Sequence, residues 1–194
     1  MRVRYRSYPT DGLNVILILV IINFVIFFAT LIRPEFIYLL GFQPAAFFSR
    51  PWTVVTAMFV HAGFWHIFAN MLTLYFFGSY FSRLVGRDKF LFVYFAGGIV
   101  GNLLFWALAS PFAVAVGASG AVFALAGGLV MMRPKLPVII FPIPIPMPLF
   151  VAVLGGFVIL SFLPSVAWQA HLGGLIVGLI AGYIFRKRER YSFF

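Results

Sequence analysis

Long apolar runs, separated by short polar or basic stretches, set the pattern of this chain. Predominantly apolar segments recur at 13–32, 66–84, 90–109, 119–132, 148–163 and 168–185. A transmembrane helix needs about 20 such residues. The pattern therefore predicts an all-α membrane protein, a bundle of six transmembrane helices. The first run is longer than the roughly 7–15 residues of a signal-peptide core, and no small-residue cleavage site follows it, so it reads as a retained first span. No internal repeat or low-complexity tail is visible. Residues 1–194 read as one domain with a core of about 13–186.

Composition supports this reading. The chain is 63% hydrophobic and 9% charged, whereas a soluble domain carries about 25% charged residues. Lipid must be the main solvent. The net charge of +10 could suggest nucleic acid, but the basic residues flank apolar runs and form no aromatic-interleaved patch. Arg2, Arg4 and Arg6 precede the first run. Arg83, Arg87 and Lys89 separate the second and third, and Arg133 and Lys135 the fourth and fifth. Arg186, Lys187, Arg188 and Arg190 follow the sixth, leaving Arg33 and Arg50 alone on the other side. The positive-inside rule then puts both termini in the cytoplasm, as an even number of spans requires. The chain has no cysteine, which excludes disulfides, thiolate metal sites and a Cys nucleophile.

Three segments depart from simple spans. Residues 119–132 give about 21 Å of helix against about 30 Å of hydrocarbon. Either that helix continues back through 113–116, or it starts inside the membrane at Ser119. Gly117 and Gly120 favour the second, and irregular backbone at that depth must be buried in protein or line a wet cavity. The connection 33–65 is rich in aromatics (Phe36, Tyr38, Phe42, Phe47, Phe48, Trp52 and Phe59). It is expected to lie in the outer interface against the bundle, the alternative being an ordinary aromatic belt. Prolines at 137, 142, 144 and 146 are too dense for a helix interior and predict an apolar connector.

An ionisable residue within a bilayer is a functional candidate by default. His171 lies in Gln169-Ala170-His171-Leu172-Gly173-Gly174, and Ser119 in Gly117-Ala118-Ser119-Gly120. A serine and a histidine suggest a nucleophile and its base. The acids are Asp11, Glu35, Asp88 and Glu189, all at or beyond span ends. Catalysis here would thus use a Ser–His dyad without the acid of a triad. His66 and Asn70, four apart, share a helix face. They can present N–H donors to one point, as an oxyanion hole requires, with the Ser119 amide as a further donor. Gly120, Ala124 and Gly128 form one small-residue row, and Ala170, Gly174, Gly178 and Gly182 another. Such rows let membrane helices approach closely and would bring Ser119 to His171. Phe123, one turn after Ser119, could stack on the imidazole. Taken singly, each feature also fits plain packing or interhelical hydrogen bonding. Asn102 reads as such a polar tie, and His61 as a residue that orders the loop.

Together, His66-x-x-x-Asn70, Gly117-Ala118-Ser119-Gly120 and Ala170-His171-Leu172-Gly173-Gly174 resemble the rhomboid family of intramembrane serine proteases in its six-span prokaryotic form. Pro51-Trp52 through Thr56 and His61 also resembles that family's approach to span two. The similarity covers about residues 34–182. It implies Ser119 as nucleophile and His171 as base, with His66, Asn70 and the Ser119 amide as oxyanion donors. Gly117, Gly120 and Phe123 would support them. It also implies a cell-membrane location (a prokaryotic plasma membrane), single-span membrane proteins as substrates, cleavage near the outer face, and no cofactor or metal. Two positions depart from the common family pattern. Thr53 follows Trp52 where many relatives have Arg, with Arg50 as a possible substitute anchor. Phe123 stands where many have Tyr.

Two other readings are weighed. An inactive relative that binds membrane helices should lack Ser119, His171 or both. A transporter or channel would carry ionisable groups along a path and repeat symmetry, and neither is seen here.

Overall fold

The computed structural model describes residues 11–140 and 143–191. Each apolar run forms a helix: α1 Asp11–Ile32, α2 Phe64–Val85, α3 Arg87–Leu108, α4 Ser119–Met132, α5 Leu149–Ser161 and α6 Trp168–Tyr191. Stretches within α1, α3 and α6 are each long and apolar enough to cross a membrane. Helix α2 joins them if Thr53–Phe59, bent 93° from it, is counted as part of one broken span. Helices α4 and α5 are shorter apolar helices. The basic cluster Arg2, Arg4 and Arg6 lies outside the described residues.

Helices α3, α4 and α6 form the centre. Helix α4 is buried around nearly its whole circumference, from Gly120 to Met132. A helix apolar on every side belongs inside a bundle. Helix α1 instead buries one face, Ile16, Leu19, Asn23, Phe27 and Thr30, and exposes Leu17, Ile21, Val25 and Phe28 on the other. Asn23 and Thr30 point inward and the exposed face beyond Asn14 is apolar, the arrangement lipid demands.

The two small-residue rows meet. A Cβ added at Gly174 would lie 1.9 Å from the Gly120 carbonyl oxygen, one at Gly178 2.0 Å from that of Ala124, and one at Gly182 2.5 Å from that of Gly128. The backbones of α4 and α6 are thus in direct contact along three turns. Helix α3 joins through Gly97 and Gly101, where an added Cβ would meet the Ala124 methyl at 2.2 Å and the Ala170 carbonyl oxygen at 2.5 Å.

The connection between α1 and α2 packs against the bundle. Phe42 is fully buried and meets Phe105 of α3, while Phe47 packs on Trp106 at 5.3 Å. Asn102 Nδ2 donates to the Val54 carbonyl at 2.8 Å, so this residue ties α3 to the connection. At the Thr53 departure, the Thr53 hydroxyl donates to the Arg50 carbonyl at 2.6 Å, and the Arg50 guanidinium reaches the Tyr38 carbonyl. Arg50 therefore anchors this loop from within.

The all-α expectation needs one correction. The proline-rich connector contains an antiparallel hairpin, β1 Pro137–Ile140 and β2 Ile143–Pro148. The Leu149 N–H donates back to the Leu136 carbonyl at 2.8 Å. Alternation from that point turns the nitrogens of Pro146 and Pro148 away from β1, before the register shifts between Val138 and Ile140. There a missing N–H leaves no ladder bond unmade.

These contacts predict opposite outcomes at two kinds of glycine. Gly178→Ala should destabilise by about 1–3 kcal/mol through overpacking. Gly155→Ala and Gly156→Ala, on α5 with no neighbour within 4 Å of an added Cβ, should be neutral or stabilising through helix propensity. Unfolding in detergent measures both. An unchanged Gly178→Ala midpoint would contradict the backbone contact.

Candidate active site

The segment leading into α4 is held by backbone bonds to the α1–α2 connection. Phe42 and Ala115 exchange N–H···O bonds of 2.9 and 2.8 Å, and the Gly117 N–H donates to the Ala57 carbonyl at 2.9 Å. The Ala118 N–H points at His61 Nε2, 3.4 Å away. Gly117 has φ +117°, a conformation that glycine alone adopts at low cost. A Cβ there would stand 2.7 Å from His66 Nε2. The glycine thus supplies both the backbone turn and the space in which the His66 ring sits. Helix α4 begins at Ser119, so the serine lies at the positive end of the helix dipole.

His171 sits in the first turn of α6 and is buried, whereas Ser119 remains half-buried. His171 Nε2 lies 2.8 Å from Ser119 Oγ. The Phe123 ring stacks on the imidazole at 4.7 Å between centroids and 26° between planes. Phe157 of α5 in turn meets Phe123 edge-on at 6.1 Å. Among the described residues no side chain or backbone group hydrogen-bonds His171 Nδ1. Packing against Phe123 therefore sets the ring's orientation, and the hydroxyl a Tyr would carry is not needed for that contact.

His66 and Asn70 share one face of α2, and His66 reaches Gly117. Asn70 is buried, and its Nδ2 donates to the His66 carbonyl at 2.9 Å. One of its two amide hydrogens is thus engaged within α2, and the other is free to point elsewhere. His61 is buried and its ring lies 5.0 Å from that of His66. It therefore touches the site's backbone as well as ordering the loop. Its sequence signal was its place at the approach to span two, which pointed to loop order and not to the site. Phe157 had no sequence signal. Among the described residues no cluster of His, Asp and Glu is arranged to hold a metal ion.

The known proteins similar to this chain are rhomboids. Residues 49–188 match the sequence model of the Rhomboid domain. YdcA of Bacillus subtilis is 31% identical over 145 residues, covering 72% of this chain and 70% of that protein. Rhomboid protein 1 of yeast mitochondria is 29% identical over 157 residues, 70% of this chain and 42% of its own length. Rhomboid-like protease 3 of Toxoplasma gondii is 41% identical over 93 residues, 47% of this chain and 35% of its own. This chain spans less than half the length of the last two. It belongs to the rhomboid family, and with its apolar helices it is a multi-pass membrane protein of a family of proteases.

Proposed function

We propose that this chain is an intramembrane serine endopeptidase that hydrolyses peptide bonds in or next to the transmembrane segments of single-span membrane proteins. The observation that carries the reading is the 2.8 Å contact between His171 Nε2 and Ser119 Oγ. In this reading the 194-residue chain is one protease domain. It crosses the plasma membrane of a prokaryote six times with both termini in the cytoplasm, and it cuts near the outer face.

His171 Nε2 takes the Ser119 proton as Oγ attacks the scissile carbonyl carbon. Negative charge moves to the carbonyl oxygen, which the Ser119 amide, His66 and Asn70 stabilise. The C–N bond then breaks, His171 gives its proton to the leaving amine, and an acyl ester remains on Ser119. Water attacks this ester with His171 again as base, releasing the new carboxylate and restoring the serine. A peptide bond inside an intact helix is sterically closed to Oγ, so the substrate must unwind locally. Exposed backbone groups in lipid cost several kcal/mol each. Glycine or proline near the cut lowers that cost by weakening the helix beforehand.

Ser119→Ala and His171→Ala should each abolish cleavage of a purified single-span reporter carrying Gly or Pro near its outer end, with unfolding midpoints in detergent preserved. Cleavage by Ser119→Ala above background overturns the assignment.

His66→Ala and Asn70→Ala should lower kcat more than they raise KM, because their donors act on charge that develops in the transition state. Losing one such donor costs about 10²–10³ in rate. Neither should equal Ser119→Ala, since the backbone donor remains. Unchanged turnover in the double variant would leave the pair with a packing role.

A further inference from the structure

A second concavity, of about 410 Å³, lies far along α2 from His66, between the end of α2, the end of α4 and the start of the hairpin. Phe76, Leu129, Leu136 and Val138 line it with apolar surface, and Ser79 and Arg83 supply polar groups. It plays no part in the chemistry at Ser119.

The Ser79 Oγ is buried, and among the described residues it has no hydrogen-bond partner. Other hydroxyls in the molecule do better: Thr73 and Ser161 each donate to the carbonyl four residues back, at 2.7 Å. Ser79 directly follows a π-helical turn, Leu74–Gly78. Such turns occur often at functional sites. A buried hydroxyl left unpaired is costly, so this one is suited to a partner from outside the chain.

Arg83 is exposed at the same cavity. Among the described residues its guanidinium has no carboxylate partner, in contrast to Arg87, which pairs with Asp88 at 3.1 Å. Further basic residues stand at this end of the helices, outside the cavity lining. Lys89 stands 5.3 Å from the Phe185 ring, and Arg186 reaches the Met131 carbonyl at 3.4 Å. This is the end of the bundle to which the basic connections converge.

We infer that this cavity binds a membrane phospholipid of net negative charge. The phosphate sits on Arg83, a glycerol or ester oxygen accepts from Ser79, and an acyl chain lies along Phe76, Leu136 and Val138. An apolar wall with polar groups at one edge fits an amphiphile better than a free anion. Basic pockets between membrane helices are known to take anionic headgroups. A protein helix would bring its own flanking Lys and Arg to this side, and Arg83 would repel them. The inference does not depend on the chain being an active protease.

The test uses the full chain in neutral detergent, titrated with phosphatidylglycerol and with phosphatidylcholine, with bound lipid counted by native mass spectrometry. Phosphatidylglycerol should bind more tightly. Arg83→Gln should weaken it about fivefold, the effect of one basic residue near an anionic headgroup, and leave phosphatidylcholine unchanged. Arg83→Lys should retain most of the preference, and Arg87→Gln all of it. Val138→Trp, which fills the cavity, should weaken phosphatidylglycerol in a chain that keeps Arg83. Equal binding of the two lipids by the wild type overturns the inference. So does an equal loss in Arg83→Gln and Arg87→Gln, which would mean a diffuse basic surface. Displacement of the lipid by millimolar inorganic phosphate would reduce the site to an anion site, and displacement by a neutral single-span peptide would assign it to a protein helix. Either result contradicts the lipid assignment.

Discussion

Everything at the Ser119 site depends on the direct backbone contact between α4 and α6. Lipid tails are as apolar as leucine, so no hydrophobic force drives one membrane helix against another. Close packing must hold them, and it is available only where side chains are small. Gly174 on Gly120, Gly178 on Ala124 and Gly182 on Gly128 provide it over three successive turns. The Ser119–His171 hydrogen bond cannot be the cause of the pairing. Interhelical hydrogen bonds in membranes average only about 0.6 kcal/mol. The glycine rows set the distance, and the 2.8 Å contact follows from it. A weak bond that packing has already aligned is well suited to break and re-form in the proposed reaction.

The site also needs a rigid floor, and that comes from outside the helices. A loop deep in a membrane must satisfy its backbone within the protein. Phe42, Ala57 and His61 answer the polar groups of Ala115, Gly117 and Ala118. This explains why so apolar a connection lies against the bundle: it carries carbonyls and a ring nitrogen that the start of α4 requires. Gly117 with its positive φ then hands the chain to the first turn at Ser119. The His171 ring has a different support, the Phe157–Phe123 relay from α5. One partner of the pair is thus fixed through the backbone and the other through stacked rings.

Much of this was legible in the sequence because it rests on composition and spacing. Apolar runs gave the helices, the four-residue glycine spacing gave the α4–α6 contact, and Gly117 and Gly120 placed the start of α4 at Ser119. The small residues Gly97 and Gly101 of α3 carry the same spacing, and attention to it would have put α3 in the central trio. The hairpin was not legible, because dense proline argues against helix without arguing for strand. Its prolines fall at every second position of β2, a regularity that takes meaning only once Leu149 is seen to bond Leu136. The contact of His61 with Ala118 is a fact of tertiary position, and the Asn70 bond to the His66 carbonyl is a matter of side-chain rotamer within α2. Residue type alone does not encode them.

The central claim is that helix packing turns Ser119 into a nucleophile activated by His171. Labelling the purified full chain with a fluorophosphonate tests it most directly, because Oγ must displace fluoride from phosphorus to form the adduct. The account predicts one adduct, mapped by mass spectrometry to Ser119 and suppressed in a folded His171→Ala variant. An adduct on another residue, or labelling of Ser119 in His171→Ala as fast as in the wild type, would contradict it.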